Sequence, residues 1–383
     1  MPLNRNIGGY ITANPIAPAG PLQSGVADGV WTLSQQLQYV SAGTWPIAGN
    51  VAQFIAVAHL TTPFVSTYPW SGSGFGTKFA NPATLPNDTG YSVAFSPSGN
   101  VIAVGHLFSP NISAYPWSGS GFGTKFANPA TLPSGSGFGV AFNPTGTAIA
   151  VAHTGSPYIN AYPWSGSGFG TKFADPATLP AGIGNSVAFS PVGDAIAVGH
   201  AGLGGSNVTA YPWSGTGFGT KFADPATLPT GQGLGVAFSP SGSAIAVAHE
   251  TSPFITAYPW SGSGFGTKFA NPGTLPTGAG YGVAFSPAGN AIAVAHNTSP
   301  RITTYSWSVS GFGAKFTNPA TLPTGFSSFA VAFNSTGNTV AVAHDTSPFV
   351  SAYPWSGSGF GTKFANPATL PTGQCNGVAF GAI

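Results

Sequence analysis

The sequence predicts an all-β fold: a closed seven-bladed β-propeller with four strands per blade, spanning residues 51–383 and preceded by an irregular N-terminal arm, residues 1–50. Three observations predict it. His59, His106, His153, His200, His249, His296 and His344 recur 47 to 49 residues apart, each within nearly the same run of residues. That run lacks helical periodicity and is dense in turn formers, with 56 Gly and 36 Pro in the 383-residue chain. A unit of this length cannot bury its apolar face alone, and four short strands in about 40–45 residues is the pattern of a propeller blade.

The unit containing His249 shows the elements in order. Val236, Ala237 and Phe238 form a short first strand ending in Ser239-Pro240-Ser241-Gly242, a turn in which Pro fixes φ and Gly lets the backbone reverse. Residues 244–249 alternate Ala with the larger Ile245, Val247 and His249, as a strand with two unlike faces requires. Residues 254–260 form the third strand, and Lys268-Phe269 through Leu275 is expected to form the fourth.

The ends of the repeat decide whether the ring closes. The last residues, 377–383, are a first strand without its second, whereas the repeat region opens at Val51 with a second strand lacking its first. Residues 377–380 are therefore expected to pair with residues 54–59, removing two open edges at once.

The runs Val236-Ala237-Phe238-Ser239-Pro240-Ser241-Gly242, Ala244-Ile245-Ala246-Val247 and Ile255-Thr256-Ala257-Tyr258-Pro259-Trp260 resemble the repeat of WD-repeat propellers. Ser stands where that family has Asp after each repeat Trp, and the family's Gly-His pair is missing. The resemblance thus implies the propeller, not the family's hydrogen-bonded tetrad or its partners.

In the arm, Thr32-Leu33-Ser34-Gln35 has capping-box spacing, and Gly43 with Pro46 supplies a stop, which predicts a short helix. Residues 29–39 and 42–46 resemble a short segment of tailed-bacteriophage virion proteins. That resemblance implies an anchor binding other virion proteins through residues 1–50. The alternative is a strap packing Trp31 and Trp45 onto the ring.

Charged residues make up only 4% of the chain, against about 25% in average soluble proteins. A net charge of +2, with one Lys in every blade, forms no basic patch, so no nucleic-acid partner is expected. One cysteine, Cys375, excludes an internal disulfide and a Cys-based metal site. No run reaches membrane-spanning length and no secretory signal opens the chain, so neither membrane insertion nor export is expected. The expected location is a virion, assembled in the host cytoplasm and extracellular after lysis.

No residue set reads as catalytic. The seven His would have to converge from strands about 10 Å apart to share a zinc ion, so a structural role bonded to Ser, Thr or backbone is expected, with no metal and no cofactor. The repeat Trp residues occupy a packing position between blades, while Phe75 and Phe265 in the Gly-Phe-Gly turns are expected to be half exposed. Asp175 and Asp224 stand where other blades have Asn, which marks a turn-capping slot rather than an acid pair.

The repeat relaxes after each His and after each Leu-Pro, two stretches expected on one face of the disc. The candidate ligand-binding residues there are Tyr91, Phe108, Phe138, Tyr281, Arg301 and Phe326. The functional expectation is a non-enzymatic structural or appendage protein of a bacteriophage virion that contacts the host surface. The alternative is a multivalent glycan-binding propeller lectin, with a host-surface glycan as partner.

Overall fold

The computed structural model describes residues 52–202 and 205–383, and the expected arm, residues 1–50, lies outside them. Seven antiparallel sheets follow one another as blades, and no single sheet closes on itself. Blade 1 runs Cys375–Ala382, Gln53–His59, Val65–Ser71 and Gly74–Phe75 from the axis outward. The two ends of the described chain thus share one sheet, with Ile55 opposite Phe380 and Val57 opposite Val378. The inner strands of blades 2 to 7 are Gly90–Phe95, Gly137–Phe142, Gly182–Phe189, Gly233–Phe238, Gly280–Phe285 and Ser328–Phe333. Together with Cys375–Ala382 they neighbour one another in a circle around the axis.

The composition of the second strand explains how blades stack. In Ala244–His249 the side chains of Ile245 and Val247 leave one face and those of Ala244, Ala246 and Ala248 the other. Each interface fits a large face against a small one: Ile245, Val247, Tyr258 and Trp260 of blade 5 pack on Ala195, Ala197 and Ala210 of blade 4. Interdigitation of unlike faces lets seven nearly identical units pack densely without a special interface for each. The repeat Trp residues are buried as expected, at 2–8% exposure. Trp260 receives the edges or faces of Phe222, Phe238 and Phe265 with ring centroids 5.1 to 5.3 Å away. Such tilted aromatic contacts add stabilisation beyond the area they bury.

The fourth strand differs from expectation. Residues 268–275 form no strand; the outer strand of blade 5 is Gly264–Phe265, paired with Trp260 and Ser261. In blades 2, 4 and 7 it shrinks to a single bridge, Trp117 with Phe122, Trp213 with Phe218 and Trp355 with Phe360, so those blades have three strands. The Lys-Phe segment contributes one ladder-like bond per blade, as where Phe269 N donates to Ala257 O at 3.0 Å. Pro272 and Pro276 then interrupt the segment, because proline has no N–H to continue the pairing.

Near the axis the inner strands approach so closely that one position per blade stays small: Ser92, Gly139, Ser186, Gly235, Gly282, Ala330 and Gly377. A Cβ on Gly235 would lie 2.7 Å from Tyr281 O, and one on Gly139 would lie 2.9 Å from Ser186 Cα. Where serine is present it bridges blades, Ser92 Oγ accepting from Val140 N and Ser186 Oγ from Val236 N, each at 3.2 Å.

Candidate functional site

Every inner strand carries a β-bulge at its start. The register against the second strand shifts between Gly90 and Ser92, Gly137 and Gly139, Gly184 and Ser186, Gly233 and Gly235, Gly280 and Gly282, and Ser328 and Ala330. In blade 1, Ala58 pairs with Gly377 and His59 with Cys375, skipping Asn376. The residue left out of the ladder is therefore Asn376, Tyr91, Phe138, Asn185, Leu234, Tyr281 or Phe329 in turn. A bulged residue is free of strand pairing, and its side chain is re-aimed. These seven residues line one cavity of about 460 Å3 in the channel on the axis.

The ring around this cavity is not sevenfold. Tyr91 and Phe138 meet edge to face with centroids 4.6 Å apart, and Tyr281 and Phe329 pack at 5.3 Å. Asn376 Nδ2 donates to Gly90 O and Asn185 Nδ2 to Gly233 O, both at 3.0 Å, so each amide ties its blade to the next. Gln374 Nε2 donates to Asn376 Oδ1 at 2.8 Å and fixes that amide's orientation. Burial pushes the Tyr91 phenol above its ordinary range and nearby Asp88 adds to the shift, which keeps the hydroxyl protonated as a donor.

The turns after His59, His106, His153, His249, His296 and His344 border the same opening. Backbone bonds hold them to the approach of the inner strands: Leu107 N donates to Thr89 O, Glu250 N to Gln232 O and Asp345 N to Ser327 O. Of the sequence candidates, Tyr91, Phe138 and Tyr281 line the cavity on the axis. Phe108 and Phe326 stand on the surrounding turns, 56% and 80% exposed. Arg301 follows the cis bond before Pro300, with φ of 69°, and its Nη1 donates to Pro323 O at 3.4 Å. The candidate set lacks Asn185, Leu234 and Phe329 of the ring, and it lacks Gln374 and Asn376 because the last first strand reads as starting at Gly377. Aligning the seven units on Val-Ala-Phe and reading two residues upstream finds the bulge position in all of them.

The remaining polar repeats are structural. All seven His side chains are fully buried, and six place Nε2 on a hydroxyl of the third strand, as in His59 to Ser66 at 3.0 Å and His249 to Thr256 at 2.8 Å. His153 faces Asn160 in place of a hydroxyl and lacks that bond. Asp175 and Asp224 do not cap turns; each carboxylate takes the ammonium of the Lys three residues earlier, Lys172 and Lys221, as Asn does in other blades. Phe75 and Phe265 are half-buried against Trp70 and Trp260, which leaves them a packing role. Among the described residues no group of three or more His, Cys, Asp or Glu converges as a metal site would require, and no helix is long and apolar enough to cross a membrane.

No family model matches the chain, and no curated protein matches it. Solved structures do match in fold. A Bacteroides uniformis protein provisionally named a 6-phosphogluconolactonase has a TM-score of 0.66 at 15% identity, covering 86% of this chain and 100% of its own. A similarly named protein from Bacteroides fragilis gives 0.66 at 13% identity, covering 88% and 99%. The periplasmic gluconolactonase of Pseudomonas aeruginosa gives 0.64 at 16%, covering 87% and 100%. At these identities the likeness shows the propeller fold; it gives no support to the WD-repeat family or to a phage-like segment. The expectation of a non-enzymatic bacteriophage virion protein, and its lectin alternative, is corrected by these comparisons. Three of the propellers matched along nearly their whole length carry lactone-hydrolase names, and none of these three is named as a particle protein.

Proposed function

We propose that the chain is a hydrolase of small lactones, binding the cyclic ester in the axial cavity. The observation that carries the reading is the ring of bulge residues. There all seven blades turn a side chain into one shared space, and the side chains differ from blade to blade. A cavity of about 460 Å3 lies within the range of small-molecule sites, about 300–1,000 Å3, and its apolar wall with a few convergent polar groups is their usual chemistry. The names of the structural neighbours supply the reaction class.

Hydrolysis joins water to the lactone carbonyl carbon, breaks the ring C–O bond and passes a water proton to the departing alkoxide, leaving a hydroxy acid. Charge develops on the carbonyl oxygen, so neutral donors held in a partly dry channel lower the barrier. Tyr91 and Tyr281 supply phenolic donors there, and the amides of Asn185, Asn376 and Gln374 orient the ring hydroxyls. Six-membered lactones open readily in water, so donors and positioning suffice for catalysis without a strong base.

The test is proton release at constant pH from glucono-δ-lactone and from simple δ- and γ-lactones, measured against spontaneous opening. Replacing both tyrosines, Tyr91→Phe with Tyr281→Phe, is expected to lower the enzymatic rate about 100-fold, the scale of a lost oxyanion donor. A rate no faster than the spontaneous one across the panel, or one untouched by the double substitution, overturns the reading.

A further inference from the structure

We infer that the site selects an uncharged lactone carrying an apolar substituent and rejects phosphorylated ones. The inference rests on the hydrolase reading for the word lactone, and on the cavity alone for the selectivity.

No side chain lining the cavity carries a charge: the wall consists of Tyr, Phe, Leu, Val, Ala, Gly, Ser, Asn and Gln. The repeat lysines cannot substitute, because each reaches along its own outer segment, as where Lys268 Nζ donates to Asn271 Oδ1 at 2.5 Å. Around the opening the turns bear Asp88, Glu250 and Asp345 against one cation, Arg301, whose Nη1 is engaged by a carbonyl. Three carboxylates against one cation leave the rim net negative, and that field repels an approaching anion. A phosphate entering this channel would lose water and find no counter-charge, the costliest way to bury an ion.

The same ring offers favourable contacts to hydrocarbon. Asn376 and Asn185 divide it into two arcs of aromatic and aliphatic side chains, Tyr91 with Phe138 on one side and Leu234, Tyr281 and Phe329 on the other. Seven valines, among them Val93, Val236 and Val378, line the cavity beside the bulge residues. A lactone head set at an amide therefore places its substituent along an aromatic and aliphatic wall. Each methylene buried there contributes to affinity, whereas each hydroxyl of a bare sugar acid must find one of few polar partners.

Binding is measured separately from turnover by calorimetry on the whole chain with lactams, which resist hydrolysis. The three probes are an alkyl-substituted δ-lactam, gluconolactam and gluconolactam 6-phosphate. The alkyl lactam is expected to bind at least 10-fold more tightly than the phosphate, with little change between low and high salt. Leu234→Lys, which puts a cation into the ring, is expected to improve the phosphate's affinity at least 10-fold while weakening the alkyl probe. Equal or tighter binding of the phosphate by the unmodified protein, or no binding of any probe, overturns the selectivity. Loss of lactone turnover with the binding order intact overturns only the hydrolase reading.

Discussion

The hydroxyl of Tyr68 donates to the carbonyl of Thr369 at 2.9 Å, joining residues 301 positions apart in the chain. The same bond recurs between successive blades, from Tyr162 to Thr131, Tyr211 to Thr178, Tyr258 to Thr227, Tyr305 to Thr274 and Tyr353 to Thr321. Each tyrosine ring is fully buried, so its one polar atom must find a partner, and the preceding blade's Thr-Leu-Pro segment provides it.

Tyr115 is the exception: its hydroxyl is buried without a partner. Removing a satisfied hydroxyl and removing an orphaned one should therefore differ in sign. Tyr258→Phe is expected to cost about 0.5–1.5 kcal/mol, and Tyr115→Phe to be neutral or stabilising. Urea unfolding of the two variants beside the parent protein reads the difference. Equal losses would show that the hydroxyl contributes through something other than this bond.

Acid should unfold the ring steeply. Burial is the main cause that lowers each of the seven His from 6.5 to about 4. The folded-state value lies below the unfolded one, so folding requires the neutral imidazole. The stabilisation is complete above about pH 6.5 and is lost as pH falls toward 4. Each group contributes up to about 1.4 kcal/mol per pH unit in that window. Seven acting together exceed the usual margin of about 5–15 kcal/mol before pH 4 is reached. Tryptophan fluorescence should change cooperatively between pH 6 and 4; a melting temperature constant down to pH 4 would contradict this.

Deleting residues 377–383 removes most of the strand that pairs with Gln53–His59 and takes Val378 out of the cluster with Ile55, Val57 and Trp70. The expected outcome is aggregation, or a fall in melting temperature of more than about 10 °C, since both a core strand and an edge cover are lost. Size-exclusion chromatography and calorimetry check it, and an unchanged monomer would disprove the role of this pairing.

Gly235→Val should destabilise the ring by about 1–3 kcal/mol or more, because its side chain has no room beside Tyr281 O. The bulge neighbour Leu234, whose side chain lines open space, should accept Ala with a smaller loss. Chemical denaturation of the two variants makes the comparison, and a larger loss at Leu234 would place the crowding elsewhere.

Much of the fold was legible because strand alternation and repetition are local signals. Ile245 and Val247 marked the second strand, and residues 377–380 marked the closing one by their likeness to 236–238. The Gly264–Phe265 strand was not legible, since two residues carry no period. The prolines that follow it leave a segment whose apolar content looks strand-like but cannot pair. The bulge was hidden for a related reason. A single extra residue such as Tyr91 breaks alternation without announcing which way its side chain turns. Variation between the units picks out the candidates on one face of the disc, but not that three of them, Tyr91, Phe138 and Tyr281, line the channel.

The bulge also separates what the scaffold needs from what the cavity displays. Because Asn376, Tyr91, Phe138, Asn185, Leu234, Tyr281 and Phe329 take no part in the ladder, exchanging one of them leaves strand register intact. The ring behaves as a socket with exchangeable pins, of which Asn376 and Asn185 also tie their blades to the next. A chain built by copying one unit many times can therefore acquire a new ligand through a handful of substitutions, without renegotiating its architecture.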